Sequence, residues 1–96
     1  MNGPGPGALH VLIIDDSPHD RADAKAALRR GSARQLHFSE AASGEQGLQR
    51  CLQQPAPDCV LLDLGLPDVD DMEVLARLPR DGDGLLQLPV VVLTGS

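Results

Sequence analysis

The sequence predicts a small α/β domain in which helices cover both faces of a parallel β-sheet. Short, wholly apolar runs such as "HVLII", "CVLLD" and "VVVL" are typical of strands that are buried on both faces. Segments with helical periodicity separate these runs, and strands that alternate with helices pair in parallel through right-handed crossovers. The length of 96 residues allows one such domain with a thin core.

The first strand is predicted from His10 to Ile14, and two acids follow it directly. A helix then begins at Ser17, whose hydroxyl can cap the first turn. Pro18 suits the first helical position, and Gly31 supplies the stop signal.

The second strand and the second helix follow the same logic. Residues 36–41, "LHFSEA", alternate apolar with polar side chains, which predicts a half-exposed strand at an edge of the sheet. Ser43 is predicted to cap a helix whose apolar face holds Leu48, Cys51 and Leu52.

The last predicted elements are a buried strand that ends at Asp63, a third helix and a fourth strand. Asp70 is the predicted N-cap of the helix, which carries Val74, Leu75 and Leu78 on one face. The run "VVVL" is apolar on both faces, and Thr94 follows it.

Composition excludes several classes of function. A net charge of -6 and a single lysine argue against nucleic-acid or anionic-membrane binding, which requires clustered basic residues. Cys51 and Cys59 lack metal-type spacing and are predicted to be small core residues in a reducing compartment, which favours a cytoplasmic protein. Residues 1–8 are predicted to form a flexible tail, and residues 9–96 the domain.

Three acids are predicted to meet at one edge of the sheet. Asp15, Asp16 and Asp63 each lie at or just beyond the carboxyl end of a buried strand, where the ligands of such sheets gather. Their mutual repulsion would raise at least one pKa unless a cation neutralises it. Magnesium is the natural partner, because it prefers oxygen ligands and leaves positions open for phosphate. One carboxylate could then act as a nucleophile toward a phosphoryl group.

The motifs "LIIDDS", "VLLDLGLPD" and "VVVLTGS", taken together in this order, resemble the receiver domains of two-component response regulators. The resemblance runs from about His10 to the last residue. It implies a three-layer, flavodoxin-like parallel sheet with strand order 2-1-3-4, here without the fourth helix, fifth strand and fifth helix usual in that family.

The resemblance also implies the roles of individual residues. Asp63 would be the phosphoacceptor, and Asp15, Asp16, Asp63 and the backbone carbonyl of Gly65 would hold Mg²⁺. Thr94 would be the switch hydroxyl that contacts the phosphoryl group. A sensor histidine kinase or a phosphotransfer protein would supply the phosphate. The implied role is that of a signalling phosphoacceptor whose only catalysis is its own phosphorylation.

The end of the sequence leaves an alternative open. The lysine that ends the fifth strand of the family has no counterpart here, because the single lysine, Lys25, falls in the first helix. The chain could therefore be a degenerate receiver that acts as a protein-interaction module without a phosphorylation cycle. An uncovered fourth strand is also expected to permit self-association.

Overall fold

The structure is a computed structural model that describes residues 7–63, 65–84, 87 and 89–93, and within them strands and helices alternate. The elements are β1 (Leu9–Ile14), α1 (Pro18–Gly31), β2 (Leu36–Ala41), α2 (Gly44–Leu52), β3 (Cys59–Asp63), α3 (Asp71–Arg77) and β4 (Val90–Leu93). In the part of the chain described, none of the helices has the length and apolar character needed to span a bilayer.

The four strands form one sheet in the order β2-β1-β3-β4, and every neighbouring pair is parallel. The predicted fold class and strand order are confirmed. Ile14 at the end of β1 pairs with Ala41 of β2 and with Leu62 of β3. The chain therefore leaves β1 and β3 side by side, at the same edge of the sheet.

Apolar side chains pack on both faces of the two central strands. One face carries Leu12, Ile14, Val60 and Leu62, covered by α2 and α3 through Leu48, Cys51, Val74 and Leu78. On the other face lie Val11, Ile13 and Leu61, against which Ala24 and Leu28 of α1 pack. These layers fix the positions at which β1 and β3 end.

Local sequence signals set the helix starts as predicted. The side chains of Ser17, Ser43 and Asp70 each accept hydrogen bonds from backbone N–H groups two or three residues later, at 2.7 to 3.3 Å. Each bond satisfies an amide that has no partner inside the helix.

The prediction that Leu52 lies on the buried face of α2 is wrong. Leu48 and Cys51 are buried, but Leu52 is 70% exposed. The buried stripe of α2 consists of Gly44, Gly47, Leu48 and Cys51. With about 100° of rotation per residue, the last residue of the helix falls outside this stripe.

A buried histidine network lies at the opposite edge of the sheet, where the strands begin. His10 lies in β1 and is only 6% exposed. Its Nε2 lies 2.7 Å from Ser39 Oγ, and Ser39 Oγ accepts a hydrogen bond from Arg50 Nη2 at 3.0 Å.

This geometry favours a neutral His10. The Ser39 hydroxyl can accept from Arg50 and at the same time donate its proton to Nε2 of an uncharged ring. Burial lowers the pKa of His10, and the nearby His37 and Arg50 lower it further, whereas the Ala56 backbone and Asp58 act in the opposite direction. Protonation in the folded state would leave the Ser39 hydroxyl proton without its acceptor.

We expect His10 to destabilise the fold as the pH falls. Its folded pKa lies below its unfolded value, so the unfolded state binds the proton more readily. The stabilisation is complete above the unfolded pKa of about 6.5 and is lost as the pH falls below it toward the folded pKa. Urea unfolding across this range should show a smaller pH dependence in His10→Gln than in the wild type.

His19→Gln is the matched control, since the His19 side chain is 84% exposed on α1. Identical pH slopes in the wild type and His10→Gln would contradict the assignment of a neutral, buried His10.

Candidate functional site

The carboxyl edge of the sheet brings three aspartates together. Asp15 and Asp16 follow β1, and Asp63 is the last residue of β3. One carboxylate oxygen from each of the three lies within 4.8 Å of the other two. This cluster was expected from the sequence, because β1 and β3 are adjacent and parallel.

The three carboxylates differ in exposure. Asp15 is buried, and its Oδ1 accepts a hydrogen bond from the backbone N–H of Ser17 at 2.9 Å. Asp16 is exposed, and Asp63 is intermediate. One oxygen of Asp15 therefore helps to hold the turn into α1, and Asp63 is open to a reactant from solvent.

The electrostatics of Asp63 disfavour its charged form. Burial raises the pKa of Asp63, and the charges of Asp15, Asp16 and Asp20 raise it further. A cation would remove this repulsion.

The donor set fits a divalent cation that prefers oxygen ligands. Mg²⁺ binds oxygen ligands at about 2.0–2.1 Å, so two oxygens on opposite sides of one ion are about 4.2 Å apart. The three aspartate oxygens lie within 4.8 Å of one another, so they could contribute to one ion directly or through water. Carboxylates without thiolate or imidazole ligands are typical of Mg²⁺, Mn²⁺ and Ca²⁺ sites.

The loop after β3 contains the fourth predicted ligand, the backbone carbonyl of Gly65. Gly65 is exposed and has a φ of +84°, a conformation that side-chain-bearing residues rarely adopt. The next residue, Leu66, is buried in the core and holds the loop against the domain. Thr94, the predicted switch hydroxyl, lies outside the described residues.

Sequence analysis did not identify Arg21 as a neighbour of this site. Its Nη1 donates to the backbone carbonyl of Asp15 at 2.7 Å, and its Nε donates to Glu40 Oε1 at 2.9 Å. Lys25 donates to the other oxygen of Glu40 at 2.9 Å, and the bonds from Lys25 and Arg21 lower the pKa of Glu40. Finding Arg21 required the β1–β2 register, which places Glu40 beside Ile13.

Comparison with protein families and solved structures supports the same fold. Residues 11–96 match the family model of the response regulator receiver domain. The Mn²⁺-bound form of response regulator Rcp1 is similar over 92% of this chain and 66% of that one, with a TM-score of 0.75 and 33% identity. The phosphorylated cyanobacterial phytochrome response regulator RcpA has a TM-score of 0.73 and 29% identity, over 93% of this chain and 66% of that one.

Curated relatives give the same result. The transcriptional regulatory protein AfsQ1 of Streptomyces coelicolor is 37% identical over 88% of this chain, and the two-component response regulator ORR5 of Oryza sativa subsp. japonica is 30% identical over 92% of it. The chain spans 34% of the length of AfsQ1 and 63% of that of ORR5. Together with the sheet order and the aspartate cluster, these matches show that the chain belongs to the family of response regulator receiver domains.

Proposed function

We propose that this receiver domain takes a phosphoryl group onto Asp63 with Mg²⁺ bound beside it. The observation that carries the proposal is the meeting of Asp15, Asp16 and Asp63 oxygens within 4.8 Å at the carboxyl edge of the sheet. Asp63 is the partly exposed member of the cluster that ends a central strand, so an incoming phosphoryl group could reach it.

In the proposed reaction an oxygen of ionised Asp63 attacks the phosphorus atom of the donor. A new O–P bond forms while the P–N bond of a phosphohistidine breaks, and the imidazole leaves with the bonding electron pair. With a small acyl phosphate donor a P–O bond breaks instead, and the carboxylate leaves. Bound Mg²⁺ would offset the negative charge that gathers on the phosphoryl oxygens.

The other predicted residues take supporting roles in this proposal. Asp16 and the carbonyl of Gly65 would bind the ion directly, and Asp15 would hold it largely through water. Thr94 would donate a hydrogen bond to a phosphoryl oxygen. The Mn²⁺ bound to Rcp1 and the phosphorylation of RcpA support this chemistry by similarity.

A sensor histidine kinase or phosphotransfer protein is the proposed donor, in a two-component phosphorelay in the cytoplasm. The alternative is a protein-interaction module without a phosphorylation cycle. The two differ in whether the folded chain accepts phosphate at all.

Phosphorylation is expected to depend on both Asp63 and Mg²⁺. Incubation of the wild type with acetyl phosphate and Mg²⁺ should add one phosphoryl group, detected by intact mass spectrometry. Asp63→Asn should gain none, because an amide is not a nucleophile toward phosphorus. Excess chelator should abolish the adduct in the wild type.

Asp23→Asn is the matched control, since it also removes one carboxylate from the charged surface but its side chain is 71% exposed on α1. This variant should be phosphorylated like the wild type. A folded wild type that acquires no adduct would favour the interaction module, and an adduct on Asp63→Asn would place the phosphoacceptor elsewhere.

Self-association through β4 is a separate proposal. Among the described strands β4 lies at an edge of the sheet, where Val91 is 51% and Val92 is 39% exposed. An apolar strand with unpaired backbone groups can pair with the same strand of a second copy.

Sedimentation velocity should then show the mass increasing with concentration for the wild type and less so for Val91→Lys, because edge lysines oppose strand pairing. Leu52→Lys, which removes an exposed leucine of α2, should behave like the wild type. A folded wild-type monomer at every concentration would exclude this mode of association.

A further inference from the structure

One side chain joins the loop after Asp63 to the first turn of α2. Asp68 Oδ1 accepts a hydrogen bond from the backbone N–H of Gly44 at 2.9 Å, and Oδ2 accepts one from the N–H of Glu45 at 3.0 Å. These amides belong to the helical turn that has no backbone partners within the helix. The two bonds lower the pKa of Asp68, so the cap is anionic at neutral pH.

The loop and the helix also lie in close contact. Gly44 is buried, and a Cβ added there would overlap the side chain of Val69. The side chain of the local cap, Ser43, accepts a hydrogen bond from the N–H of Gln46 and does not reach the N–H groups of Gly44 and Glu45, which donate to Asp68. Asp68 is therefore an additional cap, supplied from a distant part of the chain.

The segment between β3 and Asp68 is held at both ends. It leaves the sheet at Asp63, turns at Gly65, and is held by buried Leu66 and then by Asp68. The carbonyl of Gly65 lies in this short span. Leu66 and Asp68 together hold the loop on the carboxyl-terminal side of this carbonyl.

We propose that Asp68 is a positioning residue for the phosphoryl-transfer site, coupling the loop that carries Gly65 to the first turn of α2. This inference rests on the proposed function, in which Gly65 and Asp63 bind Mg²⁺. Coupling is reciprocal, so ion binding should in turn stabilise the contacts between Asp68 and α2. Local opening of the first turn would then become rarer when the ion is bound.

A neighbouring ion pair provides a matched control. Arg77 of α3 donates to both carboxylate oxygens of Glu45, from Nη1 at 2.6 Å and from Nη2 at 3.0 Å. Glu45→Gln weakens this exposed ion pair on the same helical turn. It keeps the backbone N–H group of residue 45, which donates to Asp68. It therefore reports the effect of loosening α2 without detaching the loop.

The test measures Mg²⁺ affinity by calorimetry and amide exchange by NMR, using the full chain and variants shown to be folded by circular dichroism. In the wild type, Mg²⁺ should slow exchange of the Gly44 and Glu45 amides. Asp68→Ala should weaken Mg²⁺ binding about tenfold, the lower end of the loss seen when a group bonded directly to a metal ligand is removed, because Asp68 acts one step further away. Asp68→Asn keeps one acceptor oxygen and should lose less, and Glu45→Gln should bind Mg²⁺ like the wild type.

Wild-type affinity in Asp68→Ala, or equal losses in Asp68→Ala and Glu45→Gln, would overturn the inference. If Asp68→Ala does not fold, the comparison of Asp68→Asn with Glu45→Gln and the effect of Mg²⁺ on wild-type amide exchange decide it. A wild type that binds no Mg²⁺ would refute the metal site itself, and this inference with it. Binding that is unaffected by Asp68 would refute the inference alone.

Discussion

Repulsion among three carboxylates is the constraint on which the rest of this structure depends. Asp15, Asp16 and Asp63 are held together at the end of a closely packed sheet, and the pKa of Asp63 rises in response. A cluster of this kind destabilises the domain unless a cation compensates. Burial of the apolar strands β1 and β3 offsets this electrostatic destabilisation. Four of their side chains are fully inaccessible to solvent: Leu12, Ile14, Val60 and Leu62.

The same packing explains why the acids lie where the strands end. Within β1 and β3 a charged side chain would be enclosed by α1 on one face or by α2 and α3 on the other. At the carboxyl edge the chain leaves the sheet, so a carboxylate can reach solvent or an ion. Arg21 and the turn at Ser17 fix the Asp15 end of the cluster, and buried Leu66 holds the loop that follows Asp63.

Local signals in the sequence predicted much of this arrangement. The caps at Ser17, Ser43 and Asp70, the apolar central strands and the convergence of three aspartates all follow from periodicity and from the geometry of parallel sheets. Contacts between residues that are distant in the sequence could not be predicted from these patterns. The Arg21–Asp15 bond, the Asp68 cap on α2 and the His10–Ser39–Arg50 network each depend on register or on the path of a loop, which single-sequence patterns do not encode. The exposure of Leu52 depends on how wide the buried face of α2 is, which the apolar pattern alone does not define.

Titration of the Asp63 carboxyl group by ¹³C NMR, with and without Mg²⁺, tests the central claim most directly. Without the ion, the pKa of Asp63 should lie above that of an ordinary aspartate, since burial and its acidic neighbours disfavour the charged form. With saturating Mg²⁺ the pKa should fall well below the ion-free value. An Asp63 that titrates like a solvent-exposed aspartate and does not respond to Mg²⁺ would contradict the account.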